Sequence, residues 1–205
     1  MNPFNYNGGV CVAMKGKNCV AIASDHRLGA GRLTVSTDFP KVFEMGPALF
    51  IGLPGLTTDS LTVVNKLKFR VNLYELRENR KIRPHTFKAM VESMLYERRF
   101  GPYYVASVIA GLDPETDEPF VTAMDVLGAG EVNEPFAVAG TAEESLLGLC
   151  EALWEPDLAP EDLFETLSQV ILNAVDFDCL GGAGATIHVI EKDKVTTRTI
   201  KTRMD

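Results

Sequence analysis

The chain has 205 residues, 46% of them apolar and 23% charged, a composition that fits one folded domain able to bury roughly 70% of its unfolded surface and that excludes disorder. Its formal charge of −8, from 28 acids against 20 bases, opposes a general nucleic-acid binder, which needs a basic surface to neutralise phosphate. No apolar run approaches the ~20 residues of a membrane span, no signal peptide is expected, and Cys11, Cys19, Cys150 and Cys179 show no CxxC spacing, so the expectation is buried reduced thiols in a cytoplasmic and nuclear protein.

Val10 to Met14 and Cys19 to Ser24 flank the turn-forming stretch Lys15-Gly16-Lys17-Asn18 and predict a β hairpin. Cys19-Val20-Ala21-Ile22-Ala23 is apolar at every position, the pattern of a strand covered on both faces, so a layer is required on each side. Leu28 to Thr37 reads as a loop with one short strand, and Phe39 to Glu44 and Ala48 to Gly52 as two more strands. Beyond Leu53-Pro54-Gly55, one of Thr57, Thr58 or Asp59 is placed to cap a helix whose apolar positions Leu61, Val64, Leu67, Val71 and Leu76 keep helical spacing to about Arg77. A second helix opens at Pro84 and runs to about Arg99, with Phe87, Met90, Val91, Met94 and Leu95 on one face.

Tyr103 to Leu112 and Phe120 to Leu127 follow as strands joined by a loop of turn formers, and Phe136 to Ala139 as another. Thr141 stands three residues before Glu144, the capping-box spacing, ahead of a third helix carrying Leu146, Leu147, Cys150, Leu153 and Trp154. Pro160-Glu161-Asp162 opens a fourth helix that ends near Asp176. Ala185 to Ile190 and Val195 to Ile200 close the chain as strands, and the basic residues between Lys192 and Arg203 read as a solvated strand and tail. This order predicts an α+β fold of four layers, an αββα sandwich of two stacked, mainly antiparallel sheets between two helix pairs. Residues 1–205 form a single domain on this reading, with residues 1–7 a short N-terminal extension.

The run Ser24-Asp25-His26-Arg27, followed sixteen residues after Asp25 by Lys41, resembles the amino-terminal hairpin of proteasome β subunits, members of the N-terminal-nucleophile hydrolase superfamily. The resemblance extends over essentially the whole chain: Gly52-Leu53-Pro54-Gly55, Tyr74-Glu75-Leu76-Arg77, Tyr96 to Tyr104, Val138 to Ala142, Glu155 to Thr166 and Asp178 to Gly182. Active members begin their mature chain with a threonine at the start of the first strand. Counting back from Asp25, that position is Gly9, which carries no hydroxyl.

An N-terminal nucleophile needs a hydroxyl or thiol on the residue whose own α-amine serves as base. It also needs a lysine for positive charge and a carboxylate to hold that lysine. The resemblance implies that Lys41 and Asp25 match this pair, that Thr141 and Asp178 match a supporting hydroxyl and acid, and that Gly181 stands where active relatives carry a second serine. With Gly9 and Gly181 both bare, the expectation is a catalytically inactive member with no catalytic residue. Cleavage before Gly9 would expose an α-amine with no side chain to activate.

Each retained residue also has a purely structural reading. Asp25 and Lys41 would be a buried ion pair, Asp178 would order the loop before Gly181-Gly182, and Thr141 would cap the third helix. His26, His85 and His188 have no HxxxH spacing, so no metal site is expected, nor any cofactor. Cys11 is internal and lacks a free amine. By resemblance the partners are other β subunits of the same and the facing ring, α-ring subunits and polypeptide substrate passing through a chamber, with no nucleic acid and no membrane. Asp125, Val126, Gly128 and Ala129 are candidates for contacts with a neighbour's substrate pocket; the alternative is that Asp125 caps a strand end. Two rival functions remain: an active peptidase of this superfamily whose nucleophile lies elsewhere in the sequence, and a free-standing binding domain.

Overall fold

In the computed structural model residues 2–203 are described, and Met1, the first residue of the expected extension, lies outside them with Met204 and Asp205. The opening hairpin is β1 (Val10–Gly16) and β2 (Cys19–Asp25), paired antiparallel with Gly16 opposite Cys19, so the turn is only Lys17-Asn18. Asn18 takes a left-handed φ of 54°, a state asparagine adopts more readily than most residues. Both strands are almost wholly buried, and their side chains divide by alternation. Val10, Val12, Met14, Cys19, Ala21 and Ala23 point to one hydrophobic cluster, while Cys11, Ala13, Val20 and Ile22 point to another. That two-sided burial is what the unbroken apolar run encodes.

The hairpin sits inside a five-stranded sheet in the order β11 (Lys194–Ile200), β10 (Ala185–Glu191), β2, β1, β9 (Phe136–Gly140). A second sheet runs β5 (Val42–Gly46), β6 (Leu49–Gly52), β7 (Ser107–Leu112), β8 (Pro119–Met124), and every pairing in both sheets is antiparallel. Residues 28–37, expected to hold one strand, form a small hairpin of their own, β3 (Leu28–Ala30) with β4 (Leu33–Ser36). The sheets face each other across Ile22, Phe50, Val108, Ala110, Val121 and their neighbours. Helices α1 (Thr57–Glu78) and α2 (Pro84–Tyr96) cover the outer face of the four-stranded sheet through Leu67, Val71, Phe87 and Val91. Helices α3 (Glu143–Leu153) and α4 (Pro160–Phe177) cover the five-stranded one through Leu146, Leu163, Leu167 and Ile171. The architecture is therefore the four-layer αββα sandwich, with one apolar cluster between each pair of layers.

Several expected details differ. No side chain of Thr57, Thr58 or Asp59 caps α1, whose N-cap is Leu56. Asp59 instead accepts the Tyr104 amide at 2.9 Å, and the Thr57 amide is taken by Asn7 from the N-terminal extension. Leu61 and Leu76 keep helical spacing but are 43% and 83% exposed, because the buried face of α1 runs through Val63, Val64, Leu67 and Val71. Helix α2 stops at Tyr96, where Arg98 and Arg99 donate to carbonyls three residues back and tighten the chain into turns. Residues 103–106 are not part of β7: they run beside 54–56, with Val105 bridging Gly55, and only from Ser107 does β8 become the partner. β8 ends at Met124, short of the expected Leu127, because Asp125 turns the chain. Ala142, not Thr141, is the N-cap of α3.

Candidate functional site

The end of β2 delivers Asp25 to a fully buried point beside the start of β1. Its carboxylate meets Lys41 Nζ at 2.8 Å and accepts the backbone amides of Val10 at 2.9 Å, Arg27 at 3.2 Å and Gly182 at 3.0 Å. Lys41 Nζ also donates to the Asp25 carbonyl at 3.0 Å. A buried ion pair is tolerated only with this degree of hydrogen bonding, and the four donors bring β1 and three connecting segments to one carboxylate at the end of β2.

Gly9 immediately precedes β1 with φ at +109°, a backbone state that side-chain-bearing residues rarely adopt. A Cβ built there would collide with Lys41 Cε, with Cδ at 2.7 Å and Nζ at 3.1 Å. The lysine stem thus fills the space in which a side chain at residue 9 would begin. The ammonium is in the right neighbourhood to act on such a side chain, but none exists for it to act on.

Thr141 and Asp178 join the same cluster from the other side. The Thr141 amide donates to the Gly9 carbonyl at 3.1 Å, its hydroxyl lies 3.4 Å from that carbonyl, and the same hydroxyl makes a short hydrogen bond to Asp178 Oδ2. The hydroxyl is turned to Asp178 rather than to the first turn of α3, which corrects the capping-box reading. The other oxygen of Asp178 accepts the Leu180 amide at 2.9 Å, within the loop before Gly181-Gly182. A Cβ on Gly181 would stand 3.1 Å from Asp178 Oδ2, so a serine there would extend this network, and glycine leaves it at two members. The six positions matched to the family's catalytic motif, 9, 25, 41, 141, 178 and 181, meet in one place although they span most of the chain.

Two members of the site carry no role in the sequence reading. Arg27 is 5% exposed and spreads its guanidinium over three neutral oxygens: Thr34 Oγ1 at 3.0 Å, the Leu180 carbonyl at 2.8 Å and the Gly31 carbonyl at 3.1 Å. It ties the β3–β4 hairpin to the loop after α4, and the available signal was a charge two residues past the end of an apolar strand. Asn7 is the second; its three hydrogen bonds had no signal beyond its place before two glycines.

Asp125, Val126 and Ala129 line a cavity of about 520 Å³ together with Glu134, Gly140 and Glu143. Asp125 Oδ1 accepts the amides of Leu127 at 2.9 Å and Ala129 at 2.7 Å, and Gly128, at φ +86°, donates to the Asp125 carbonyl. The carboxylate therefore both ends β8 and faces solvent at the cavity wall. Burial holds Glu134 and Glu143 above the usual carboxylate range, with Glu131 adding to the first and Glu144 to the second.

His26 bonds Thr186 at 2.6 Å, His85 packs edge-on to Phe120 and His188 stacks on Phe50. Among the described residues no group of His, Cys, Asp or Glu could hold a metal ion. Cys11, Cys19 and Cys150 are buried and free, whereas Cys179 is exposed, against the expectation for all four. Burial pushes Cys19 up to about 11 and Cys150 up to about 12, and pushes Cys11 higher still with the Asp25 charge adding to it.

The family model described as "Proteasome subunit" matches residues 5–190. The chain is similar to Proteasome subunit beta type-3 of Drosophila melanogaster, 58% identical over 205 residues and covering the whole of both chains. It is 51% identical over 205 residues to the protein of that name from Picea mariana, again over the whole of both. To that of Saccharomyces cerevisiae it is 49% identical over 204 residues, covering 100% of this chain and 99% of the relative. A hairpin with a buried Asp–Lys pair, set in a four-layer sandwich and matched end to end by these relatives, places the chain in the proteasome subunit family.

Proposed function

We propose that this chain is a non-catalytic, structural β subunit of a 20S proteasome core particle. It builds a β ring and walls the chamber in which active neighbours cleave polypeptide during ATP- and ubiquitin-dependent degradation, in the cytoplasm and nucleus. The observation that carries the reading is position 9, where a glycine stands and the Lys41 stem occupies the room a nucleophilic side chain would need. Without an attacking hydroxyl, the paired Asp25 and Lys41 have no proton transfer to assist.

The partners on this reading are β subunits of its own and the facing ring, α-ring subunits and the polypeptide in the chamber. Apolar side chains stand exposed on both outer layers: Phe69 and Leu76 on α1 with Phe100 after α2, and Leu147, Leu172 and Phe177 on α3 and α4. Such side chains suit subunit contacts. Asp125, Val126, Gly128 and Ala129 then border a neighbour's substrate pocket, where the solvent-facing Asp125 carboxylate favours basic peptide side chains.

The rival, a peptidase with its nucleophile elsewhere, has in Cys11 a thiol two residues after Gly9. That thiol is in the core between the sheets and burial holds it protonated. Treating the native particle with a hydroxyl-directed covalent inhibitor and weighing each subunit separates the readings. This chain is expected to keep its unmodified mass while other β subunits gain the adduct; an adduct here overturns the proposal.

A further inference from the structure

The N-terminal extension is held at defined points. Pro3–Asn5 form one 3₁₀ turn capped by the Asn2 side chain, and the Phe4 ring meets Tyr104 edge-on at 5.7 Å. The Tyr6 carbonyl accepts the Gly31 amide at 2.7 Å and the Asn7 carbonyl accepts the Gly29 amide at 3.0 Å. The Asn7 side chain uses both ends of its amide: Nδ2 donates to the Gly29 carbonyl at 2.9 Å, and Oδ1 accepts the amide of Thr57, the first residue of α1, at 2.9 Å. Gly29 therefore gives both of its backbone groups to Asn7.

These contacts fall on the side of β3 away from the extension-independent pairing with β4, and on a helix start that no residue of α1 caps. An unpaired strand edge is a template for added strands, and an uncapped helix start leaves amide donors open. We propose that Asn7 is a latch that holds the extension in the groove between β3 and the start of α1, so that the chain's own leading segment occupies the backbone groups a passing extended polypeptide would pair with. The Gly29 amide and carbonyl, the Gly31 amide and the Thr57 amide are all taken in this way, three of these four bonds by one residue and the fourth by its neighbour. The buried glycines Gly8 and Gly9, at φ +69° and +109°, then turn the chain from this groove into β1. The inference rests on contact geometry and stands independently of the assembly the chain joins.

Hydrogen exchange read by mass spectrometry on the full-length chain, in the assembly from which it is purified, tests it with two variants. Asn7→Ala is expected to speed exchange about 10-fold in peptides covering residues 26–32, where release of the extension frees the Gly29 and Gly31 amides, and 53–60, where the Thr57 amide loses its acceptor. Asn7→Asp keeps the acceptor for Thr57 and loses the donor to Gly29. It should loosen 26–32 and leave 53–60 protected, and it decides the question by itself if the alanine variant does not fold. Wild-type exchange in both peptides overturns the latch. So does faster exchange spread through β1, β2 and β10, which would make Asn7 a general prop of the fold.

Discussion

Lys41 and Gly9 share one space: the lysine stem lies where the first side-chain atom of residue 9 would stand, and its ammonium is held 2.8 Å from Asp25. Gly9→Thr must therefore displace Lys41 and also adopt a φ of +109°, unfavourable for a β-branched residue. A loss of about 2–4 kcal/mol is expected from strain and overpacking, read as a lowered unfolding midpoint. No inhibitor adduct should appear, because Gly181 leaves the supporting network incomplete as well.

The buried pair is asymmetric. Among the described residues, Asp25 keeps three backbone donors if its lysine is removed, whereas Lys41 keeps only the Asp25 carbonyl if the carboxylate is removed. Asp25→Asn should cost about 3–5 kcal/mol, and Lys41→Met, of similar shape, about 2 kcal/mol or less. Chemical denaturation of both single variants and the double variant checks this, the double being expected to fall short of the sum.

Asp125→Ala removes the acceptor for two loop amides at the cavity wall. In the intact particle it is expected to weaken a neighbouring subunit's preference for basic residues several-fold, while cleavage after apolar residues holds. Peptide libraries read by mass spectrometry would show it, and an unchanged preference removes the neighbour-pocket role.

Glu134 has its acidity weakened chiefly by burial, so the folded state binds its proton more readily than the unfolded chain does. The charged form costs stability above the unfolded pKa, and that cost disappears as pH falls below it. Glu134→Gln should raise stability at pH 7 by less than about 1 kcal/mol, the partial exposure of the site screening the effect. The gain should vanish below about pH 4, as unfolding midpoints measured across pH would record.

Ser107 is fully buried at the start of β7, and its hydroxyl has no hydrogen-bond partner among the described residues. Ser107→Ala is expected to be neutral or stabilising by about 1 kcal/mol, since an unsatisfied polar group is removed. A marked loss on denaturation would show that the hydroxyl is satisfied in solution.

The sequence alone determined the layer order and the absence of any hydroxyl or thiol at residue 9. The unbroken apolar run of β2 and the apolar face of α2 report burial directly, and a glycine has no hydroxyl in any fold. The resemblance to proteasome β subunits also implied the Asp25–Lys41 pair, which a separation of sixteen residues does not by itself bring together. Only the tertiary structure decided what Thr141, Asn7, Arg27 and Leu76 do. The Thr141 hydroxyl could serve its own helix or Asp178, 37 residues away, and the second partner won. Leu76 keeps the helical repeat yet points outward, since periodicity gives a face and not what covers it. Asn7 and Arg27 bind backbone groups brought near by folding, and backbone groups are the same at every residue, so no pattern of side chains announces them.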